Sequence, residues 1–220
     1  MDDENGKKVS MFITFEGPDG SGKTTQIRLL AKWLREQGHK VVLTREPGGT
    51  EIGDQIRTVL HDPYNTDMDA RTEILLYSAS RAQHVAQLIR PSLAAGKVVI
   101  SDRYYDSTLA YQGYGRGLDL EVLRAITGFA TGGLAPDMTL YLDVTPEEGL
   151  QRRRLGGDEW NRLDAEALEF HQRVRAGYLE LVEQETERWA VIDAARSVGK
   201  VQTEIRTVVQ ARLNQVKREA

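Results

Sequence analysis

Cysteine is absent from the 220-residue chain, which excludes a disulfide framework, a thiolate zinc site and a cysteine nucleophile. Positive charge is not in surplus either. The 29 Lys+Arg stand against 33 Asp+Glu, a net charge of −4, so the chain lacks the basic excess of a protein that coats nucleic acid. No apolar run approaches the ~20 residues that cross a bilayer, and the start Met1-Asp2-Asp3-Glu4-Asn5-Gly6-Lys7-Lys8 is polar, unlike a signal peptide. Internal repeats, low-complexity tracts and Pro/Ser-rich linkers are missing too. With 40% hydrophobic residues the chain can still bury a real core. These absences predict a cytosolic protein with no membrane or nucleic-acid partner, folded as one domain over 1–220 with a loose tail at 1–8.

What is present is an alternation of short β-rich runs with longer stretches of helical period, the pattern of an α/β fold with a parallel sheet covered by helices. Strands are predicted at 11–16, 41–45, 98–102, 138–143 and 189–193, each short and apolar as a strand buried on both faces should be. Helices are predicted at 23–37, 53–60, 70–89, 120–130, 146–154, 165–185 and 201–218. In the first, Ile27, Leu30, Ala31 and Leu34 keep the 3, 4 spacing and Gly38 ends the run. Pro146 follows Thr145, a capping residue and then a first-turn proline.

The strongest local signal is Gly17-Pro18-Asp19-Gly20-Ser21-Gly22-Lys23-Thr24, which fits G-x-x-x-x-G-K-[ST] between a predicted strand and a predicted helix. Its glycines let backbone N–H groups surround phosphates, the helix N-terminus adds its dipole, Lys23 bridges β- and γ-phosphates and the Thr24 hydroxyl suits Mg²⁺. Residues 17–25, Thr25 included, are therefore the candidate ATP cradle. A second strand ends at Asp102, where a carboxylate beside the cradle would complete the magnesium shell, although strands also end in Asp merely to start a turn. Arg103 follows directly, at the edge where α/β folds bind ligands, and its planar fork can reach a phosphate. The alternative is a surface ion pair.

Phosphate cradles serve switches, motors and kinases alike. A guanine-reading N-K-x-D is missing; Asn161-Arg162-Leu163-Asp164 comes nearest, with Arg in the Lys position and no strand before it. Further cations and aromatics follow in order: Arg45-Glu46-Pro47-Gly48-Gly49, Arg57, Tyr77 with Arg81, Asp102-Arg103-Tyr104, and Ser107-Thr108-Leu109-Ala110-Tyr111-Gln112-Gly113. On these motifs, over roughly residues 11–193, the chain resembles the bacterial thymidylate kinases of the nucleoside monophosphate kinase group. The resemblance implies a three-layer P-loop kinase fold, a five-stranded parallel sheet flanked by helices with a basic lid. It implies transfer of phosphate from ATP to dTMP with Mg²⁺, in a homodimer.

The resemblance also implies residue roles. Tyr77 would stack on the thymine and Arg81, four residues on along one helix face, would hydrogen-bond a base carbonyl. Gln112 would contact the base, and Arg57 and Arg103 would grip the acceptor 5′-phosphate. Asp19 would approach the sugar 3′-hydroxyl above Tyr111, and Glu46, Pro47, Ser107 and Thr108 complete the acceptor side. A cis bond between Glu46 and Pro47 is expected from the same source.

Among Pro18, Asp19, Gly20 and Ser21 there is no cation to neutralise the migrating phosphoryl group, so the charge must come from elsewhere. Arg152-Arg153-Arg154, two glycines and Arg162 mark a basic lid at about 151–163. Three successive residues cannot all face one site. The resemblance favours Arg152 and Arg162 as catalytic partners of Lys23 and Arg103, and Arg153 or Arg154 stays open. Two alternatives remain: a kinase for another pyrimidine monophosphate such as dUMP, and a non-enzymatic nucleotide switch.

Overall fold

The computed structural model describes residues 10–155, 163 and 165–219; the tail at 1–8, Arg162 and most of the expected lid lie outside them. The five predicted strands form where the apolar runs put them. They are β1 (Met11–Glu16), β2 (Val41–Arg45), β3 (Val98–Asp102), β4 (Met138–Asp143) and β5 (Trp189–Asp193). All pair in parallel in the order β2-β3-β1-β4-β5, with β1 central and every one of its residues buried. Alternate side chains of β1 serve opposite faces, as the two-residue strand period requires. Met11, Ile13 and Phe15 join α1 (Lys23–Glu36) and the last helix, while Phe12 packs with Val99, Tyr104 and Ile89 on the other face.

The long helices obey their stripes. In α1 the buried positions include Ile27, Leu30, Ala31 and Leu34, and Gly38 beyond its end adopts φ 85°, a left-handed turn that only glycine makes without strain. Other spans differ from the expectation. α2 (Glu51–His61) starts ahead of Gly53 because the Thr50 hydroxyl accepts a hydrogen bond from Gly53 N at 3.1 Å and caps the first turn. The helix expected over 70–89 is α3 (Ala70–His84), which runs through a wide π segment, Val85–Ile89, into α4 (Arg90–Ala94).

A helical stretch unforeseen in the sequence follows β3: α5 (Tyr105–Thr108) and a π segment, Leu109–Gly115. Its two glycines hide the helical period, and both are needed where they sit. A Cβ on Gly113 or Gly115 would lie 2.5 Å from Leu120 or 2.7 Å from Phe170. α6 (Leu120–Thr131), α7 (Pro146–Leu155), α8 (Leu168–Gln184) and α9 (Val198–Glu219) complete the layers, with α8 starting after the expected residue 165. Among the described residues no helix is long and apolar enough to cross a membrane.

Candidate active site

Parallel pairing brings the carboxyl ends of β1, β3 and β2 into one row. Arg103 N donates to Phe15 O at 2.9 Å and Glu46 N to Asp102 O at 2.9 Å, so the loops after the three strands leave the sheet side by side. Above them lies a cleft of about 390 Å³. Its floor is the loop between β1 and α1, represented by Asp19, Gly20 and Gly22 to Thr25. Gly17, Pro18 and Ser21 are buried within that loop. The loop is held from above by α7: a Cβ on Gly20 would fall 2.1 Å from the carbonyl oxygen of Gly149, and one on Gly149 would fall 2.7 Å from that of Asp19. Two backbones touch there, and a side chain at either position would push them apart.

Lys23 is buried with its ammonium donating to Gly17 O at 2.9 Å and Pro18 O at 3.0 Å, 4.0 Å from Asp19 Oδ1. Burial and the neighbouring Arg103 lower its pKa from the ordinary lysine value, against the pull of Asp19, Asp102 and Glu16. Thr24 and Asp102 both face the cleft. A hydroxyl and a carboxylate are hard oxygen donors of the kind Mg²⁺ takes, so this pair fits that ion.

Arg103 occupies the centre. It is the sole described residue other than glycine with positive φ, 71°, a left-handed conformation that costs an L-residue roughly 1–2 kcal/mol. The bent backbone turns its guanidinium over the Tyr111 ring, 5.0 Å from the centroid, where Nη2 donates to Asp19 Oδ1 at 3.0 Å and to Tyr111 OH at 3.1 Å. Nη1 donates to Ser107 Oγ at 3.1 Å and Tyr178 OH at 3.4 Å. Burial opposes the Asp19 charge, but Arg103 and Lys23 outweigh it and hold the carboxyl below its ordinary pKa.

Beneath this group lies Glu16, fully buried, accepting from Tyr104 N at 2.8 Å, Ser107 Oγ at 2.6 Å and Tyr178 OH at 2.7 Å. Because both hydroxyls donate to Glu16, each turns a lone pair toward Arg103. Burial above all, and then Asp106, push the Glu16 carboxyl from 4.5 up to about 7, against Arg103 and the two hydroxyls.

At the other end of the cleft, Arg81 is 1% exposed. Its Nε donates to Glu46 Oε2 at 2.7 Å, Nη2 donates to Thr108 Oγ1 at 3.1 Å, and Nη1 is buried without a hydrogen-bond partner among the described residues. Glu46 lines the cleft, yet its carboxylate is committed to Arg81 and, through Oε1, to His84 Nδ1 at 3.1 Å. His84 Nε2 lies 2.6 Å from Thr44 Oγ1. Pro47 follows a cis peptide bond after Glu46, and its carbonyl accepts from Arg57 Nη1 at 2.9 Å. Burial, then Arg45, lower the Arg57 pKa from its ordinary value. Tyr77 shares the wall with Arg57, Arg81 and Gln112.

Of the basic run, Arg152 and Arg153 line the cleft and Arg154 is exposed. The Arg152 guanidinium bonds Ala194 O at 2.9 Å and the Glu148 carboxylate. Arg153 acts electrostatically on Asp19. Thus every described candidate outside the buried part of the loop, apart from Arg154, comes to one cleft, and Arg162 lies outside the described residues. Sequence reasoning missed Glu16, His84, Tyr178, Glu73 and Arg116. Glu16 closes a largely apolar strand, which was a usable signal; Glu73, His84 and Tyr178 sit on helices and Arg116 in the turn after Gly115, as ordinary polar residues.

A family model described as thymidylate kinase matches residues 15–205. The chain is 52% identical over 221 aligned residues to a thymidylate kinase of Roseiflexus sp. (strain RS-1), covering 96% of this chain and 98% of that one. It is 51% identical over 201 residues to the thymidylate kinase of Bacillus pumilus (strain SAFR-032), covering 91% and 95%. Its fold matches the crystal structure of thymidylate kinase from Ehrlichia chaffeensis with a TM-score of 0.74 at 37% identity, covering 91% of this chain and 99% of that one.

Proposed function

The chain belongs to the thymidylate kinase family, and from that premise we propose how its cleft moves the γ-phosphoryl group of ATP onto the 5′-phosphate of dTMP, giving ADP and dTDP. An oxygen of the dTMP phosphate bonds to the γ-phosphorus while the bond from that phosphorus to the β,γ-bridging oxygen breaks. The acceptor oxygen is already anionic, so no general base is required; alignment and charge neutralisation carry the rate.

The observation that carries the acceptor assignment is Arg81 in the wall of the cleft above the glycine-rich loop, with its buried Nη1 lacking a hydrogen-bond partner among the described residues. A guanidinium only donates, so the base must offer an acceptor there, as the 4-carbonyl of thymine does and the 4-amino group of cytosine does not. Glu46 and Thr108 aim Arg81, Tyr77 stacks on the base, and Gln112 bonds its edge. Arg57 and Arg103 hold the 5′-phosphate, with Ser107 and Tyr111 steadying Arg103. Asp19 meets the sugar 3′-hydroxyl, and Tyr111 beneath the sugar disfavours a 2′-hydroxyl.

On the donor side, residues 17–25 cradle the triphosphate and Lys23 bridges its β- and γ-phosphates. Thr24 and Asp102 are the protein oxygens that would hold Mg²⁺, which when bound supplies neutralisation of phosphate charge. Arg152, Arg153 and Arg162 belong to a lid, about 151–163, on a single domain. Homodimerisation is supported by an apolar surface on packed helices: Leu75 on α3 and Val122 and Phe129 on α6, with Phe129 92% exposed. Light scattering on a purified sample reads it directly, and a monomer at micromolar concentration refutes it. The absence of cysteine accords with a cytoplasmic enzyme.

The test is a coupled ADP-release assay with ATP, Mg²⁺ and a panel of dTMP, dUMP, dCMP, UMP, AMP and GMP. dTMP is the preferred acceptor and dCMP a poor one. If dTMP is not phosphorylated, the reading fails.

A further inference from the structure

Gln112 presents an amide whose two ends are chemically opposite, one donating and one accepting, and the base can be read correctly only if the right end faces it. Its orientation is decided by a residue outside the cleft. Gln112 Nε2 donates to Glu73 Oε1 at 2.7 Å; both side chains are buried, Glu73 completely. A carboxylate accepts and does not donate, so this contact admits only the amide nitrogen. Gln112 forms part of the cleft wall, and with its nitrogen turned back to Glu73, its carbonyl oxygen is the atom left for a ligand.

Glu73 is itself clamped in place. Arg116 Nε donates to Oε1 at 2.9 Å and Nη2 to Oε2 at 3.2 Å, and Nη2 also reaches Glu166 Oε1 at 2.9 Å. The guanidinium lies over the Phe170 ring, 5.4 Å from its centroid. Both carboxylate oxygens of Glu73 therefore accept hydrogen bonds. Glu73, Tyr77 and Arg81 follow one another at four-residue steps along α3, so one helix face places the orienting carboxylate, the stacking ring and the guanidinium in line.

We propose that Glu73 is a specificity-determining positioning residue: by holding the Gln112 amide nitrogen, it presents the Gln112 carbonyl oxygen to the base and selects a ring with an N–H at position 3. Next to the donor of Arg81, the cleft then offers a donor followed by an acceptor. Thymine complements this order with its 4-carbonyl and N3–H. Cytosine presents the reverse, an amino group and an unprotonated N3. This inference rests on the base-facing roles proposed above for Arg81 and Gln112.

The test uses 5-methyl-dCMP, which keeps the 2-carbonyl and the 5-methyl group but carries a 4-amino group and an unprotonated N3. Wild-type enzyme should prefer dTMP over 5-methyl-dCMP in kcat/KM by more than tenfold, of which the Gln112 contact supplies about tenfold, the size of one net hydrogen bond. Glu73→Gln lets the residue at 73 donate to Gln112 and frees the amide to turn. Its preference should fall by about tenfold, mainly through a raised KM for dTMP, with kcat and the KM for ATP nearly unchanged. A purely structural role would shift thermal stability and both ligands together and leave that ratio alone. If Glu73→Gln does not fold, Glu73→Met combined with Arg116→Met removes charge and counter-charge at once and must lower the preference in the same way. A wild-type enzyme that treats dTMP and 5-methyl-dCMP alike overturns the base-facing roles of Arg81 and Gln112 and this inference with them. A wild-type preference that survives undiminished in the folded variant overturns the Glu73 inference alone.

Discussion

Replacing Arg103 with Ala removes the cation placed between Asp19, Ser107, Tyr111 and Tyr178. In the protein its guanidinium makes four hydrogen bonds of 3.0 to 3.4 Å, and the side chain is 15% exposed. Burial works against that charge, but Tyr111, Asp19, Tyr178 and Glu16 keep the group protonated, its pKa well above the ordinary arginine value. Two charge-assisted bonds to a phosphate, at about 1.5–2 kcal/mol each, give about 3–4 kcal/mol of lost stabilisation. The substitution also leaves Asp19, held at 3.0 Å by Arg103, as an anion facing an anionic substrate, which adds to the loss. The expected outcome is a fall in kcat/KM for dTMP of about 10²–10³-fold. With ATP varied at saturating dTMP, KM for ATP should change by less than about threefold. ADP release under both regimes separates the two effects. An unchanged kcat/KM for dTMP in a folded Arg103→Ala protein refutes the phosphate role. A companion substitution isolates the backbone: at φ 71°, Arg103→Gly should be about 1 kcal/mol more stable than Arg103→Ala in urea titration, since only glycine adopts that φ without strain.

Gly20→Ala would put a methyl group 2.1 Å from the Gly149 carbonyl oxygen, so the cradle must separate from α7; a rise of tenfold or more in KM for ATP is expected in the same assay, and a normal KM would mean the contact is dispensable. Asp106 is fully buried and bonds Arg188 at 2.7 and 3.0 Å. Asp106→Ala should therefore cost about 3–5 kcal/mol in urea unfolding by stranding the cation, and adding Arg188→Met should restore much of it. The pH dependence of stability follows from Glu16. Its carboxyl is raised from 4.5 to about 7, so between those values the folded state keeps a proton that the unfolded chain has released. That contribution is full below about pH 4.5 and is lost as pH rises to about 7, at most roughly 3 kcal/mol. Glu16→Gln should remove this slope from unfolding free energies measured from pH 5 to 7.5; an unaltered slope would assign it to other groups.

The strands were readable because each is a short apolar run; burial on both faces holds for the central β1, β3 and β4, while the edge strands β2 and β5 are partly exposed. The cradle was readable because its glycines, Lys23 and Thr24 lie within eight residues and perform a local task. The helical stretch after Asp102 was not, since Gly113 and Gly115 serve contacts with Leu120 and Phe170 rather than the period of their own segment. Arg103 could be placed at the right edge of the sheet, whereas its left-handed backbone and four partners could not.

Carboxylates draw the sharpest line between the two kinds of information. Glu46 stands in a motif that marks it for substrate, yet its oxygens are taken by Arg81 and His84, 35 and 38 residues away. Glu73 shows nothing unusual in the sequence, yet it orients Gln112 across 39 residues, and Glu16 holds Tyr178 across 162. The sequence by itself determined the strands, the long helices, the glycine-rich loop between β1 and α1 and the family, because periodicity, turn chemistry and short motifs are written within one or two turns of chain. Which charge meets which was decided only by the tertiary structure. The order of strands and the packing of α3, the segment after β3 and α8 around the cleft choose partners from distant stretches, and a buried ion is held only where those partners converge.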